Sequence, residues 1–311
     1  MGRIIFLSPF AKTEISGGIK TAYRHAELLA EMGFDALVYQ PEGSPSWFET
    51  HAKLLTSANF TPMADDVLVF PEAINGPLVD MANARGPAKK VLFCQAQYYA
   101  LFSAIPAENY RDLGFDRVIC QSNIAKGFLE RVLKLNDISV IPCFIDPDLF
   151  FPRGNAMQIA LIPRKLPREA AAIHSVFGLK YPELKSVPWQ VIENRSERET
   201  AETFGRSAIV LSLPFLESFG LVPLEAMASG AIVIGFQGYG ALEYATDKNG
   251  FWFASDHIEE TADAIARVVK GLQRADPMLA EMRKAGTATA AAYSKERTRD
   301  ALRQFYGALL S

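Results

Sequence analysis

Leu213-Pro214-Phe215-Leu216-Glu217-Ser218-Phe219-Gly220-Leu221-Val222-Pro223-Leu224-Glu225-Ala226-Met227-Ala228-Ser229-Gly230 reads as the end of a strand, a loop and a helix. The apolar run Ile209–Leu213 stops at a proline, which has no backbone N–H to give to a ladder. The loop carries Glu217, and the spacing predicts a helix that starts near Phe219 and closes before Gly230. The N–H groups of Ser218, Phe219, Gly220 and Leu221 then lie at a helix N-terminus. With the macrodipole they form an anion site suited to a diphosphate. Gly220 has no side chain to keep a ligand from the backbone. Glu225 falls about 9–12 Å along the axis from Glu217. Two acceptors at that separation can hold hydroxyls on the two sugars at either end of one diphosphate. Taken in isolation, the same pair reads as a helix-start carboxylate and a solvated helix residue.

Outward from this stretch, short apolar runs alternate with segments of helical period. Ile4–Leu7, Ala36–Tyr39, Val67–Phe70, Val91–Phe93, Val118–Cys120 and Ser139–Ile141 are expected strands, followed by Ile159–Ile162, Gln190–Ile192, Ile209–Leu213 and Ile232–Ile234. Ile19, Ala22, Ala26 and Leu29 recur at helical spacing before Gly33. Ser196 and Glu199 have the spacing of a capping box. Strand, helix, strand in this order implies parallel sheets with right-handed crossovers. The Pro-, Gly- and Asn-rich loop from Asp146 to Asn155 divides the chain. The expected organisation is a Rossmann-like domain over 1–150, a second over 151–293, and a final helix over 294–311 with the stripe Leu302, Phe305, Leu309. The fold class is α/β, two doubly wound parallel-sheet domains facing a cleft. In such sheets ligands sit at the carboxyl ends of the strands.

The chain has 311 residues, 32 Lys and Arg against 35 Asp and Glu, and a formal net charge of -3. This argues against a partner bound through a broad basic surface, so no nucleic acid is expected. Cys94, Cys120 and Cys143 make neither a disulfide framework nor a zinc pattern, and each reads as a core residue in a reducing compartment, the cytoplasm. Ile4–Leu7 is too short for a secretory core, and no window approaches a membrane span. Peripheral membrane contact is left open.

The Glu217–Glu225 segment resembles the Glu-x7-Glu signature of the retaining family 4 glycosyltransferases of GT-B fold. The likeness includes Ser-Phe-Gly-Leu after the first Glu and Glu-Ala-Met-Ala-Ser-Gly around the second. The resemblance implies that Glu217 faces the transferred sugar and Glu225 the nucleotide ribose. Gly238-Tyr239-Gly240 with Glu243 resembles the Gly-Gly-x-x-Glu stretch that follows in the family. Ser16-Gly17-Gly18 resembles its glycine loop, with Gly17 and Gly18 giving a ligand close approach. Ile141–Asp146 with Phe150 resembles the end of its first domain, and the last helix resembles the one that crosses back to that domain.

Two departures stand out. The family has Gly-Arg and then Lys some residues later; here Ile162-Pro163-Arg164-Lys165 is followed by Arg168. Negative charge develops on a leaving diphosphate, so Arg164 and Lys165 are the candidate cations, with Arg168 as an alternative for the second. The family often has a His in the first domain near the sugar. None of His25, His51, His174 or His257 fits that place; Gln97 stands about there and can hydrogen-bond a hydroxyl. His25 reads as a partly exposed helix residue. Asp146-Pro147-Asp148 spells a metal-chelating triplet of another transferase fold, without the βα placement to support it. Asp65-Asp66 reads as loop charge.

The resemblance implies a hexosyltransferase moving a sugar from a nucleotide-diphosphate donor to a carbohydrate or other hydroxyl-bearing acceptor, with retention. It implies no metal and no cofactor beyond the donor. The alternatives are a non-catalytic nucleotide-sugar-binding protein and a nucleotide-sugar epimerase on the same scaffold.

Overall fold

A computed structural model describes residues 2–311. The chain forms two compact units, one running to Cys143 and joined by Glu296–Ser311, the other Phe144–Lys295.

In the first unit β1 (Ile4–Leu7) leads to α1 (Gly17–Glu31), β2 (Ala36–Tyr39), β3 (Lys53–Leu55), β4 (Val67–Pro71), α2 (Leu78–Asn83), β5 (Lys89–Cys94), β6 (Arg117–Cys120), α3 (Asn123–Arg131) and β7 (Ile138–Val140). The seven strands are parallel in the order β3-β2-β1-β4-β5-β6-β7. The apolar runs are continuous because both faces of such a sheet are covered. Ile5, Leu7, Phe70, Leu92 and Cys120 point into one core. Phe6 and Phe93 point the other way, where Phe6 meets His25 of α1 and Tyr306.

The second unit runs β8 (Ala156–Leu161), α4 (Pro167–Lys180), β9 (Trp189–Val191), α5 (Glu197–Arg206), β10 (Ser207–Ser212), α6 (Leu221–Ala228), β11 (Ile232–Phe236), β12 (Gly250–Phe253), α7 (Ile258–Gln273) and α8 (Pro277–Ala291). Its five strands are parallel, ordered β12-β11-β10-β8-β9. α4 packs on α7 and α6 on α8. The capping box forms: Ser196 Oγ accepts the Glu199 N–H at 3.2 Å, and Glu199 Oε2 accepts the Ser196 N–H at 2.9 Å.

The last helix, α9 (Lys295–Leu310), lies in the first unit from its second residue on. Leu302, Phe305, Tyr306 and Leu309 are all buried. Thr298 Oγ1 donates to the Pro142 carbonyl at 2.9 Å, and Lys89 Nζ donates to that of Leu309.

The structure corrects several expectations. β3 is an extra edge strand too short to register as a pattern. His25 is not partly exposed but wholly buried, stacked on Phe93 at 5.0 Å. Asp66 is no loop charge; it is buried and pairs with Arg3 at 2.7 Å. All three cysteines are buried, as expected of core residues, and among the described residues none forms a disulfide. Among the described residues, no helix is long and apolar enough to cross a membrane.

Candidate functional site

The order of the five-stranded sheet reverses at β8, with β9 on one side and β10 on the other. Such a switch point leaves a crevice outside the carboxyl ends of the two adjacent strands. Leu161 stands opposite Leu211 in the β8–β10 ladder. The segments that follow, 162–165 and 213–220, therefore leave the sheet side by side.

This register brings Lys165 and Glu217 together. Lys165 Nζ lies 2.7 Å from Glu217 Oε1 and donates to the Phe215 carbonyl at 3.2 Å. The side chains are 22% and 23% exposed, so the pair is reachable from solvent. Arg164, Lys165 and Glu217 line one small cavity of about 50 Å³ with Ser212 and Pro214. Arg164 is exposed, as is Arg168.

The loop between β10 and α6 is shaped by left-handed backbone at Leu216 (φ 53°) and Gly220 (φ 78°). A Cβ on Gly220 would stand 3.2 Å from both Glu217 Oε2 and Tyr244 Oη, so glycine is suited to the position on two counts. Phe219 anchors the loop edge-on to Tyr244 at 5.9 Å and to Tyr293 at 5.1 Å. The Tyr244 hydroxyl donates to the Gly220 carbonyl at 2.6 Å. Gly240 lies so close that a Cβ there would meet the Phe219 carbonyl carbon at 2.5 Å. The Gly238-Tyr239-Gly240 turn thus packs against the Glu217 loop.

The helix begins later than expected. Gly220 is the N-cap and Leu221 the first helical residue, so Ser218 and Phe219 precede the helix and both are buried. Pro223 lacks an N–H, which leaves Gly220, Leu221 and Val222 as the amides of the first turn. Glu225 is enclosed rather than solvated, at 6% exposure.

In the first unit, α1 starts at Gly17, so Gly17 and Gly18 form its first turn rather than a loop before it. Gly17 is exposed and Gly18 half-buried. Gln97 is 1% exposed, and its Oε1 is enclosed without a hydrogen-bond partner among the described residues. The glutamine that reaches the glycine turn is Gln95, whose Nε2 donates to the Gly18 carbonyl at 3.1 Å. Its Oε1 accepts from Gln121 Nε2 at 2.8 Å. Neither Gln95 nor Gln121 stood out in the sequence, because their pairing joins segments remote along the chain. Among the described residues no group of three or more His, Cys, Asp or Glu is placed to hold a metal. Asp146 Oδ1 instead accepts the Asp148 N–H at 3.0 Å.

Residues 187–288 match the family model described as Glycosyl transferases group 1. Along 84% of its length the chain is 26% identical to an alpha-1,6-glucosyltransferase of Actinobacillus pleuropneumoniae, covering 82% of that protein. The sucrose-phosphate synthase of Thermosynechococcus elongatus superposes with a TM-score of 0.75 at 15% identity, over 99% of both chains. Anabaena HepE, solved with UDP-glucose, gives 0.74 at 13% identity, over 98% of this chain and 99% of that one. The structural likenesses are those of the GT-B glycosyltransferase fold. The second unit therefore contains a glycosyl transferase group 1 domain, on a chain with two parallel-sheet α/β units of GT-B type.

Proposed function

We propose that this protein is a retaining hexosyltransferase of the family 4 type, using a nucleotide-diphosphate sugar and neither metal nor further cofactor. The observation that carries the reading is the meeting of Lys165 and Glu217 at the strand switch point of the second unit, whose residues 187–288 match the group 1 family model. A cation and a carboxylate on adjacent loops suit a substrate that is anionic at one end and becomes positively charged at the other. In this reading the second unit binds the donor and the first the acceptor.

Arg164 and Lys165 face the leaving diphosphate, aided by the open amides of α6. Glu217 lies against the sugar as its anomeric carbon gains oxocarbenium character. Glu225 holds the ribose. The acceptor oxygen bonds to the anomeric carbon on the face that the diphosphate leaves. The carbon–oxygen bond to the diphosphate breaks, and the acceptor proton passes to the departing phosphate oxygen. No enzyme nucleophile is then required for retention. The A. pleuropneumoniae relative is named for glucosyl transfer and HepE was solved with UDP-glucose, which makes UDP-glucose the first donor to test.

The test is incubation with UDP-glucose and related donors plus a glycan acceptor, following UDP release and the anomeric proton of the product by NMR. Transfer with the donor's own anomeric configuration is expected. Tight nucleotide binding with no turnover would instead support a binding protein, and an epimerised donor formed without acceptor would support an epimerase.

A further inference from the structure

A buried carboxylate holds the rim of the first unit and takes no part in the chemistry above. Glu72 directly follows β4. Pro71 stands opposite Phe93 in the β4–β5 ladder, so Glu72 sits where β5 leaves the sheet. Its Oε2 accepts the Gln95 N–H at 3.1 Å and its Oε1 the Ala96 N–H at 2.9 Å. The side chain thus continues the ladder past the end of the strand. Gln95, fixed in this way, reaches the Gly18 carbonyl on one side and Gln121 on the other. One carboxylate thereby joins the segments that follow β1, β4, β5 and β6 at the carboxyl edge of the sheet, where α/β folds place their ligands.

On the glycosyltransferase reading, we propose that Glu72 is the positioning residue of the acceptor-binding rim, locking Gln95 against Gly18 when ionised and releasing it when protonated. An ionised carboxylate offers acceptors to both amides. A protonated one turns an acceptor oxygen into a hydroxyl donor that faces an N–H. Among the described residues, no cation stands close enough to lower the Glu72 carboxyl. The titratable groups facing Glu72 are Cys94 of β5 and Tyr110 of the turn Ala107–Leu113. Burial pushes both upward, so both are neutral near pH 7. Tyr110 Oη donates to the Glu72 backbone carbonyl and so cannot relieve the carboxylate. Burial pushes the Glu72 carboxyl up to about 7, which sets the change near neutrality.

The experiment compares wild type with Glu72→Gln across about two pH units either side of neutrality. Acceptor KM, donor KM and kcat are measured alongside the NMR shifts of the Gln95 and Ala96 amides. In wild type, both amides titrate with one midpoint near 7. Acceptor KM rises about tenfold as that midpoint is passed downward, the scale expected when a buried N–H loses its acceptor. Donor KM stays level. In Glu72→Gln the acceptor KM is high at every pH, and the step disappears. Amides that do not titrate together, or a variant with the wild-type acceptor profile, overturn the proposal. Absence of any transfer by wild type sinks the glycosyltransferase reading instead, while the amide titration still decides whether Glu72 holds the loop. Should the variant fail to fold, the wild-type titration alone remains decisive.

Discussion

Lys165 Nζ sits 2.7 Å from Glu217 Oε1, so two groups assigned to the diphosphate and to the transferred sugar of the donor neutralise each other when no donor is bound. An incoming diphosphate competes with Glu217 for the ammonium. A partly exposed pair of this kind is worth about 0.2–1 kcal/mol. In Glu217→Gln the lysine is released, and UDP is expected to bind about 1.5- to 5-fold more tightly. Turnover in Glu217→Ala should fall about 10²- to 10³-fold, as for other groups that stabilise transition-state charge. Calorimetry and steady-state kinetics measure the two effects separately. Unchanged UDP affinity would remove the competition, and wild-type kcat would remove Glu217 from the site.

Glu225 should fail differently. A group that holds the ribose equally in ground and transition states contributes uniform binding. Glu225→Ala is therefore expected to raise donor KM with little change in kcat. Because Glu225 is enclosed at 6% exposure, the substitution also leaves its surroundings altered. A melting curve must accompany the kinetics. A drop in kcat at unchanged donor KM, with melting intact, contradicts the assignment.

Chelation should leave activity in place. The diphosphate charge is assigned to Arg164, Lys165 and the open amides of α6, which need no cation to assist them. Full activity after EDTA treatment is the expected outcome. Loss on treatment, restored by Mn2+ or Mg2+, would bring Asp146 and Asp148 back as ligands.

Deleting 295–311 should unfold the first unit or reduce it to a loosely packed state. Leu302, Phe305, Tyr306 and Leu309 are buried there, and large apolar side chains contribute about 1.5–3 kcal/mol each. Their sum rivals the whole stability of an ordinary domain. Loss of the cooperative thermal transition of that unit is expected. A truncated chain with wild-type melting refutes it.

His25 predicts an acid sensitivity. Its ring packs on Phe6 and Phe93, neither nitrogen has a partner among the described residues, and burial lowers its pKa from 6.5 to about 3. The folded state thus excludes a proton that the unfolded chain accepts. The stabilisation is full above about 6.5 and declines as pH falls toward 3, by an amount on the order of a few kcal/mol. In His25→Phe this part of the slope should vanish. Urea titrations of both proteins over that pH window provide the check; parallel slopes would count against it.

What the sequence made legible follows from the range of the forces involved. Strands such as Ile4–Leu7 announce themselves because a sheet covered on both faces needs an unbroken apolar run. The Glu217 loop was readable from the glycines and prolines that shape it. The start of α6 was misplaced because Gly220 takes a left-handed backbone and caps the helix after Phe219 has already turned inward. Gln97 drew notice by its position, whereas Gln95 meets Gly18 and Gln121 across 77 and 26 residues of chain. Glu72 could not have been found locally at all, since the amides it holds belong to the segment that follows the next strand, β5. The aromatic cluster around His25 likewise joins distant segments, since Phe6, which meets His25, also meets Tyr306 of α9.

The first unit is written in two pieces, with Phe144–Lys295 between them. At the point of departure and return the chain is tied: Ile145 N–H donates to the Tyr293 carbonyl at 3.0 Å, and Thr298 Oγ1 to that of Pro142. On the ribosome this order has a cost in time. The seven strands can emerge and collapse, but Tyr306, which packs on Phe6, arrives only with α9, after all of Phe144–Lys295 has been made. At 5–20 residues per second the uncovered sheet waits roughly 8–30 seconds for α9. The second unit has all its own helices by then. The unit synthesised first is thus the one completed last, and in that interval its open face is the surface a chaperone would find.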